Sequence, residues 1–380
     1  MRQTVGTGSG PWRRRVAVAL SVAYTIGLLV AWVVLRFAGE RWWLPLVGLY
    51  APPIGFFFPA PFVLAVTWRW AGRRWFASQF LAALLALYGL LGPSLGLGRD
   101  RHAVADPRAI RLVSYNIQLG QRGMPGILAQ VAQFQSNLVL LQEAHQGLAA
   151  GLREAFVGWH VDSRDQFFIA SRFPILEVRE PARLLYKVDK AGSTQERAGG
   201  AHFMAYTLDS DLGPIDVFSV HTTSPREGLD EMRGSGFLHE LRQGHILLGR
   251  NSDTLLFNAY RRRRQVEAVA AAARASKHPV IIAGDFNLPG LSRVAHDSLG
   301  DFDEAFVEAG WGFGYTFPSK LPFLRIDRIF TGHGLRAVDF RQGDTLASDH
   351  LCVYAVITAD GLSLVGRGDA PPRESHDSGP

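Results

Sequence analysis

The chain has 380 residues, 47% of them hydrophobic, with 40 basic residues, 34 acidic residues and a single cysteine. That length is too great for one small domain, and a lone cysteine excludes an internal disulfide and leaves a thiolate zinc site without ligands. The net charge of +6 divides unevenly: residues 1–105 hold 11 Arg against two acids, and the remainder holds 29 basic against 32 acidic residues. The basicity therefore belongs to the N-terminal segment, and the rest of the chain lacks the broad positive footprint of a general DNA or RNA binder.

Residues 1–15 form a basic leader with Arg2, Arg13, Arg14 and Arg15. The first apolar run, 16–35, has no charged residue and the roughly 20 positions that a bilayer crossing needs. A cleaved signal peptide has a shorter core and no further apolar runs behind it, so an uncleaved anchor is predicted. The second run, about 44–68, is interrupted by Pro45, Pro52, Pro53, Pro59 and Pro61. It reads as a kinked span, with a re-entrant loop as the alternative. The third run, about 76–96, reads as another span, which makes 16–97 a three-span anchor. Arg69, Arg73 and Arg74 lie between the second and third runs. By the positive-inside bias, that segment and the N-terminus are expected to be cytoplasmic. The rest of the chain is then extracytoplasmic, on a multi-pass protein of the cell (inner) membrane.

A linker over 98–107 leads to a domain expected over 108–358, where short β-rich runs alternate with helical patterns. Its strand-like runs repeatedly end in polar groups. RLVSYNIQLG carries Asn116, LVLLQEAH ends on Glu143, and DVFSVHTTSP carries His221. VIIAGDFNLPG gives Asp285 and Asn287, which strand alternation would aim at one point. LRIDRIF and then ASDHLCVYAV supply Asp327, Asp349 and His350. Such groups at buried strand ends are costly unless paired, so a site is expected there. With no second thiol, a metal among them would be held by oxygen or imidazole, which favours a hard ion such as Mg²⁺. The run Arg261 to Arg264 is expected to open a solvated helix face.

In this order and spacing the motifs resemble those of the endonuclease/exonuclease/phosphatase superfamily. These are Mg²⁺-dependent phosphoesterases that include DNase-I-like nucleases, inositol polyphosphate phosphatases and neutral sphingomyelinases. Ser171, Arg172, Pro174 and Ile175 in IASRFPILE match a further strand motif, and Arg264 with Gln265 in YRRRRQVEA match a helical one. The resemblance implies an α/β fold, a four-layered sandwich of two mixed sheets flanked by helices, here preceded by the three-helix anchor. It also implies roles: Glu143 as principal Mg²⁺ ligand, with Mn²⁺ able to substitute, Asn116 beside it, and Asp349 at the metal. Asp285 would orient and deprotonate the attacking water, and Asn287 would steady it. His350, polarised by Asp327, and His221 would face the phosphate.

Substrate choice is expected to lie outside this shared set. The segment between His221 and Tyr260 exceeds an ordinary connection and reads either as a lid or lipid-facing lip, or as a helix packed on the sandwich. The short linker keeps the domain close to the bilayer. A lipid-linked phosphate or pyrophosphate is therefore expected, such as a phospholipid head group or a polyprenyl phosphate. A surface-tethered nuclease acting on DNA or RNA is the alternative, and a binding scaffold that has lost the reaction is a third. Residues 359–380 are rich in Gly, Pro and Ser and are expected to be disordered.

Overall fold

Strands that are apolar on both faces have to be covered on both sides, and that requirement sets the layering of this chain. A computed structural model describes residues 10–190, 193–226, 229, 250–344 and 346–360. The strands begin with β1 (Ser94–Leu95), β2 (Ile110–Asn116), β3 (Leu138–Gln142), β4 (His160–Arg164), β5 (Phe167–Ser171), β6 (Ile175–Arg179), β7 (Leu185–Lys190) and β8 (Ser193–Ala198). They continue with β9 (Phe203–Ser210), β10 (Gly213–His221), β11 (Val280–Asp285), β12 (Asp303–Glu304), β13 (Trp311–Gly312), β14 (Asp327–Gly332), β15 (Leu335–Gln342) and β16 (Val353–Ala359). Two mixed six-stranded sheets result, in the orders β15-β16-β2-β3-β5-β4 and β12-β14-β11-β10-β9-β6.

The catalytic-domain helices are α1 (Met124–Gln133), α2 (Gln146–Ala155), α3 (Arg250–Arg274), α4 (Arg293–Leu299) and α5 (Ala305–Ala309). One buried cluster, including Leu112, Leu140, Val217, Ile281 and Ile329, fills the space between the sheets. A second, including Ile127, Val131 and Leu152, lies between the first sheet and helices α1 and α2. A third, including Val266, Val269 and Val294, lies between the second sheet and helices α3 and α4. The order helix, sheet, sheet, helix is the four-layered sandwich that the resemblance implied.

Side-chain parity then delivers the polar groups. Ile110 and Leu112 face the inter-sheet core, so Asn116, of the same parity, emerges at the rim of the slot between the sheets. Ile281 and Ala283 do the same for Asp285, Ile215 and Val217 for His221, and Ile329 for Asp327. Register brings three of these side by side, because His221 pairs with Asp285 and Asp285 pairs with Asp327.

Three N-terminal helices, Pro11–Arg41, Ile54–Ala71 and Arg73–Leu91, are long and apolar enough to cross a membrane. The proline-rich run does not follow the 44–68 boundaries. It forms a short helix, Trp43–Leu49, and then the Ile54–Ala71 helix, which begins after Pro52 and Pro53 and is interrupted near Pro59. Proline lacks the donor for the preceding turn, so Pro52 and Pro53 fall in the break between the two helices, while Pro45 and Pro61 sit in first turns, where no donor is needed. Some buried polar side chains bond within a helix or between helices: Ser21 Oγ donates to the Ala17 carbonyl and Gln79 Nε2 to Thr25 Oγ1.

The linker is docked. β1 pairs with β13, and Asp100 caps the turn Arg101–Val104 by accepting from the His102 and Ala103 amides. These N-terminal helices also pack on the sandwich. One apolar cluster joins Leu35 and Leu90 of these helices, with Leu46 and Tyr50 from the connection between the first two, to Leu255, Ala259, Leu324 and Ile326. Side-chain bonds cross the same boundary, among them Glu40 accepting from Ser292 Oγ and Tyr315 OH donating to the Leu91 carbonyl at 3.2 Å. The segment expected to form a lid or packed helix falls largely outside the described residues, as does nearly all of the C-terminal tail.

Candidate active site

The slot gathers seven of the eight expected side chains around one centre. Asn116 Nδ2 donates to Glu143 Oε1 and to Asp285 Oδ2, both at 3.1 Å, and so ties the two sheets together. His221 Nε2 lies 3.7 Å from Glu143 Oε1 and 3.8 Å from Asp285 Oδ2. His350 Nε2 lies 3.7 Å from the same Asp285 oxygen and 4.0 Å from Asp349 Oδ1. Behind it, His350 Nδ1 meets Asp327 Oδ2 at 2.9 Å. Two residues adopt the left-handed backbone that side chains rarely take, Glu143 at φ 56° and Asn287 at φ 49°. Such backbone has to be held in place by its surroundings.

Asn287 is the side chain that departs from expectation. β11 ends at Asp285, so the alternation that would aim both residues at one point stops before reaching it. Its amide Nδ2 instead donates to the Thr222 carbonyl at 3.0 Å, while its backbone N–H donates to Asp285 Oδ1 at 2.8 Å.

Burial and charge set the protonation of the slot. Burial pushes the Asp285 carboxyl up to about 7, against the attraction of His350 and with the repulsion of Asp327. Burial opposes the charged form of His350, but Asp327 and Asp285 outweigh it and raise the imidazole to about 10. His221 is held down at about 4, by burial first and then by the charge on His350.

Several supporting groups carried no recognisable motif. Gln166 Oε1 lies 2.6 Å from His221 Nδ1 and fixes that ring. Gln142 Nε2 bonds Ser114 Oγ and Ser219 Oγ across the two sheets, each at 3.2 Å. Gln118 Oε1 accepts from the Asp349 amide at 3.2 Å, and Arg226 Nη2 pairs with Asp349 Oδ2 at 3.2 Å. The helical Arg and Gln motif also needs correction. Arg264 is exposed and faces Glu267, whereas Arg262 is fully buried and donates to the Thr223 carbonyl at 2.9 Å. Gln265 Oε1 accepts from the Thr223 amide at 2.8 Å, so the inward pair is Arg262 with Gln265.

The profile of the Endonuclease/Exonuclease/phosphatase family matches residues 113–350, a stretch that contains every one of these groups. The chain belongs to that family. Its members are metal-dependent phosphoester hydrolases, and this chain is such an enzyme. Solved structures similar to it include a D. rerio TDP2 humanised by 14 mutations, at 16% identity, covering 66% of this chain and 100% of that one with a TM-score of 0.43. A Bacteroides thetaiotaomicron mannosyl-6-phosphatase is 17% identical, covering 66% and 99% with a TM-score of 0.44. The human Nocturnin catalytic domain with bound sulfate is 15% identical, covering 66% and 95% with a TM-score of 0.43. No curated protein matches.

The family's divalent metal suits the donors present. Asp285, Asp327 and His350 offer ligand atoms within 4.8 Å of one another, and Glu143 lies across Asn116 from that group. The carboxylate oxygens among them are the donors a hard cation prefers, whereas the His350 imidazole, bonded to Asp327, is better suited to donating to an anion.

Proposed function

We propose that this hydrolase is a membrane-anchored, Mg²⁺-dependent phosphoesterase acting on a lipid-linked phosphate or pyrophosphate at the outer face of the cell membrane. One observation carries the lipid assignment. The apolar cluster that joins the membrane helices to the sandwich takes in Phe317, whose ring centroid lies 4.8 Å from that of His350. The slot thus adjoins the end of the helix bundle, where a head group would be presented. The slightly acidic charge of residues 106–380 favours this over a nuclease.

In this reading Glu143, with Asn116 and Asp349 beside it, holds Mg²⁺ or Mn²⁺. When bound, the ion supplies charge neutralisation at the phosphoryl oxygens. Asp285 in its ionised form takes a proton from the attacking water, and the Asn287 amide and the Asn116 side chain orient its two oxygens. Burial makes it a stronger base than a surface aspartate. Asp327 receives the Nδ1 hydrogen of His350 and leaves Nε2–H free to donate to a phosphoryl oxygen. Gln166 holds His221 so that its Nε2 faces Glu143 and Asp285.

The test is a parallel assay of the full-length protein with Mg²⁺ on lipid phosphates and on plasmid DNA. Lipid turnover is expected, abolished by a chelator and restored by Mg²⁺, with Glu143→Ala and Asp285→Ala each reduced by at least about 100-fold. Robust DNA cleavage without lipid turnover would overturn the substrate, and full activity in either variant would overturn the site.

A further inference from the structure

The carbonyl of Asn287, two residues beyond Asp285, is buried, and its partner comes from the N-terminal segment. Tyr50, in the loop between the first and second membrane helices, donates its hydroxyl to Asn287 O at 2.6 Å. Asn287 is only 5% exposed, so water cannot readily replace this bond. The same residue is in left-handed backbone and orients Asp285 through its amide. Tyr50 is itself held: the Arg262 guanidinium lies 5.7 Å over its ring, and Arg262 grips the Thr223 carbonyl. The adjoining Thr222 carbonyl accepts from Asn287 Nδ2, which closes the network onto the end of β10. Pro52 and Pro53 follow two residues after Tyr50 and stiffen the loop that carries it.

We propose that Tyr50 is a positioning residue of the hydrolase, through which docking of the membrane helices holds the GDFN loop, and with it Asp285, in its working geometry. This rests on the hydrolytic reading of the slot. The membrane helices are then part of the catalytic apparatus as well as an anchor, and the site is competent only when the sandwich is seated on the bundle.

Tyr50→Phe keeps the ring against Arg262 and removes only the donor. In the full-length protein in lipid nanodiscs, assayed on a soluble aryl phosphoester so that membrane presentation is not limiting, kcat should fall about tenfold with KM nearly unchanged. Tyr50→Ala, which also removes the ring, should fall further. A merely structural role would lower the folded fraction and leave kcat per folded molecule intact. Amide hydrogen exchange over residues 284–289 reads the loop without any substrate and should quicken in Tyr50→Phe. Unchanged exchange, or unchanged kcat in an active protein, would overturn the proposal. A wild-type protein that hydrolyses nothing would instead sink the reaction assigned to the slot, and exchange would still decide the role of Tyr50.

Discussion

At the scale of single residues, identical side chains behave differently here because of what lies behind them. His350 and His221 face the same Asp285 oxygen, yet one imidazole is raised by Asp327 and Asp285 while the other, backed by the neutral amide of Gln166, is depressed by burial and the neighbouring charge. His202 shows burial alone. Neither of its ring nitrogens finds a partner among the described residues, and burial lowers its pKa from 6.5 to about 4. Above pH 6.5 the ring is neutral whether the chain is folded or unfolded. As the pH falls from there towards 4 the unfolded chain takes up a proton that the fold excludes, so stability is lost across that window, by up to about 3 kcal/mol. His202→Phe should flatten this loss. Thermal unfolding of the detergent-solubilised protein at pH 7 and pH 5 measures it, and an equal drop in both proteins would count against His202 as the source.

At the scale of elements, the strands that build the slot were the most legible part of the sequence. Their apolar runs and polar ends survive in β2, β10, β11 and β14 because burial between two sheets keeps the inward parity mostly apolar, broken by Ser114 and Ser219 one step before the rim. Position along the strand was legible too, since Asp285 closes β11. What failed was extrapolation past the end, where Asn287 leaves the strand, and a choice among four consecutive arginines, where pattern could not tell that Arg262 and not Arg264 turns inward. Gln166 and Tyr50 were invisible because their partners lie 55 and 237 positions away. Gly284 states a further constraint that the motif did not explain. It has φ 148°, and a Cβ there would lie 1.9 Å from the Val220 carbonyl oxygen of the neighbouring strand β10. Backbone on both sides cannot yield, so Gly284→Ala should cost more than about 3 kcal/mol and separate β10 from β11. A melting temperature close to wild type would show that the two strands accommodate the methyl group.

At the scale of the whole molecule, the contacts of the three N-terminal helices bear on the proposed topology that the prolines left open. Glu40 at the end of the first helix, Tyr50 before the second and Leu91 at the end of the third all bond the sandwich. Those three points therefore lie on one side of the bundle. Pro11 and the turn at Gly72, each a full helix away, lie on the other, as three crossings require and a re-entrant second run does not. The arginines at positions 13–15 and at 69, 73 and 74 belong to that far side, which in the proposed orientation is the cytoplasmic one, as the positive-inside bias expects. The proposed orientation then places the slot outside the cell membrane, next to the end of the helix bundle on which Phe317 packs. A reporter that works only outside the cytoplasm, fused after Thr358, should be active, and the same reporter placed in the turn at Gly72 should be silent. Activity of the Thr358 fusion only in a cytoplasmic-reporter version would invert the protein, and with it the leaflet from which its substrate is drawn.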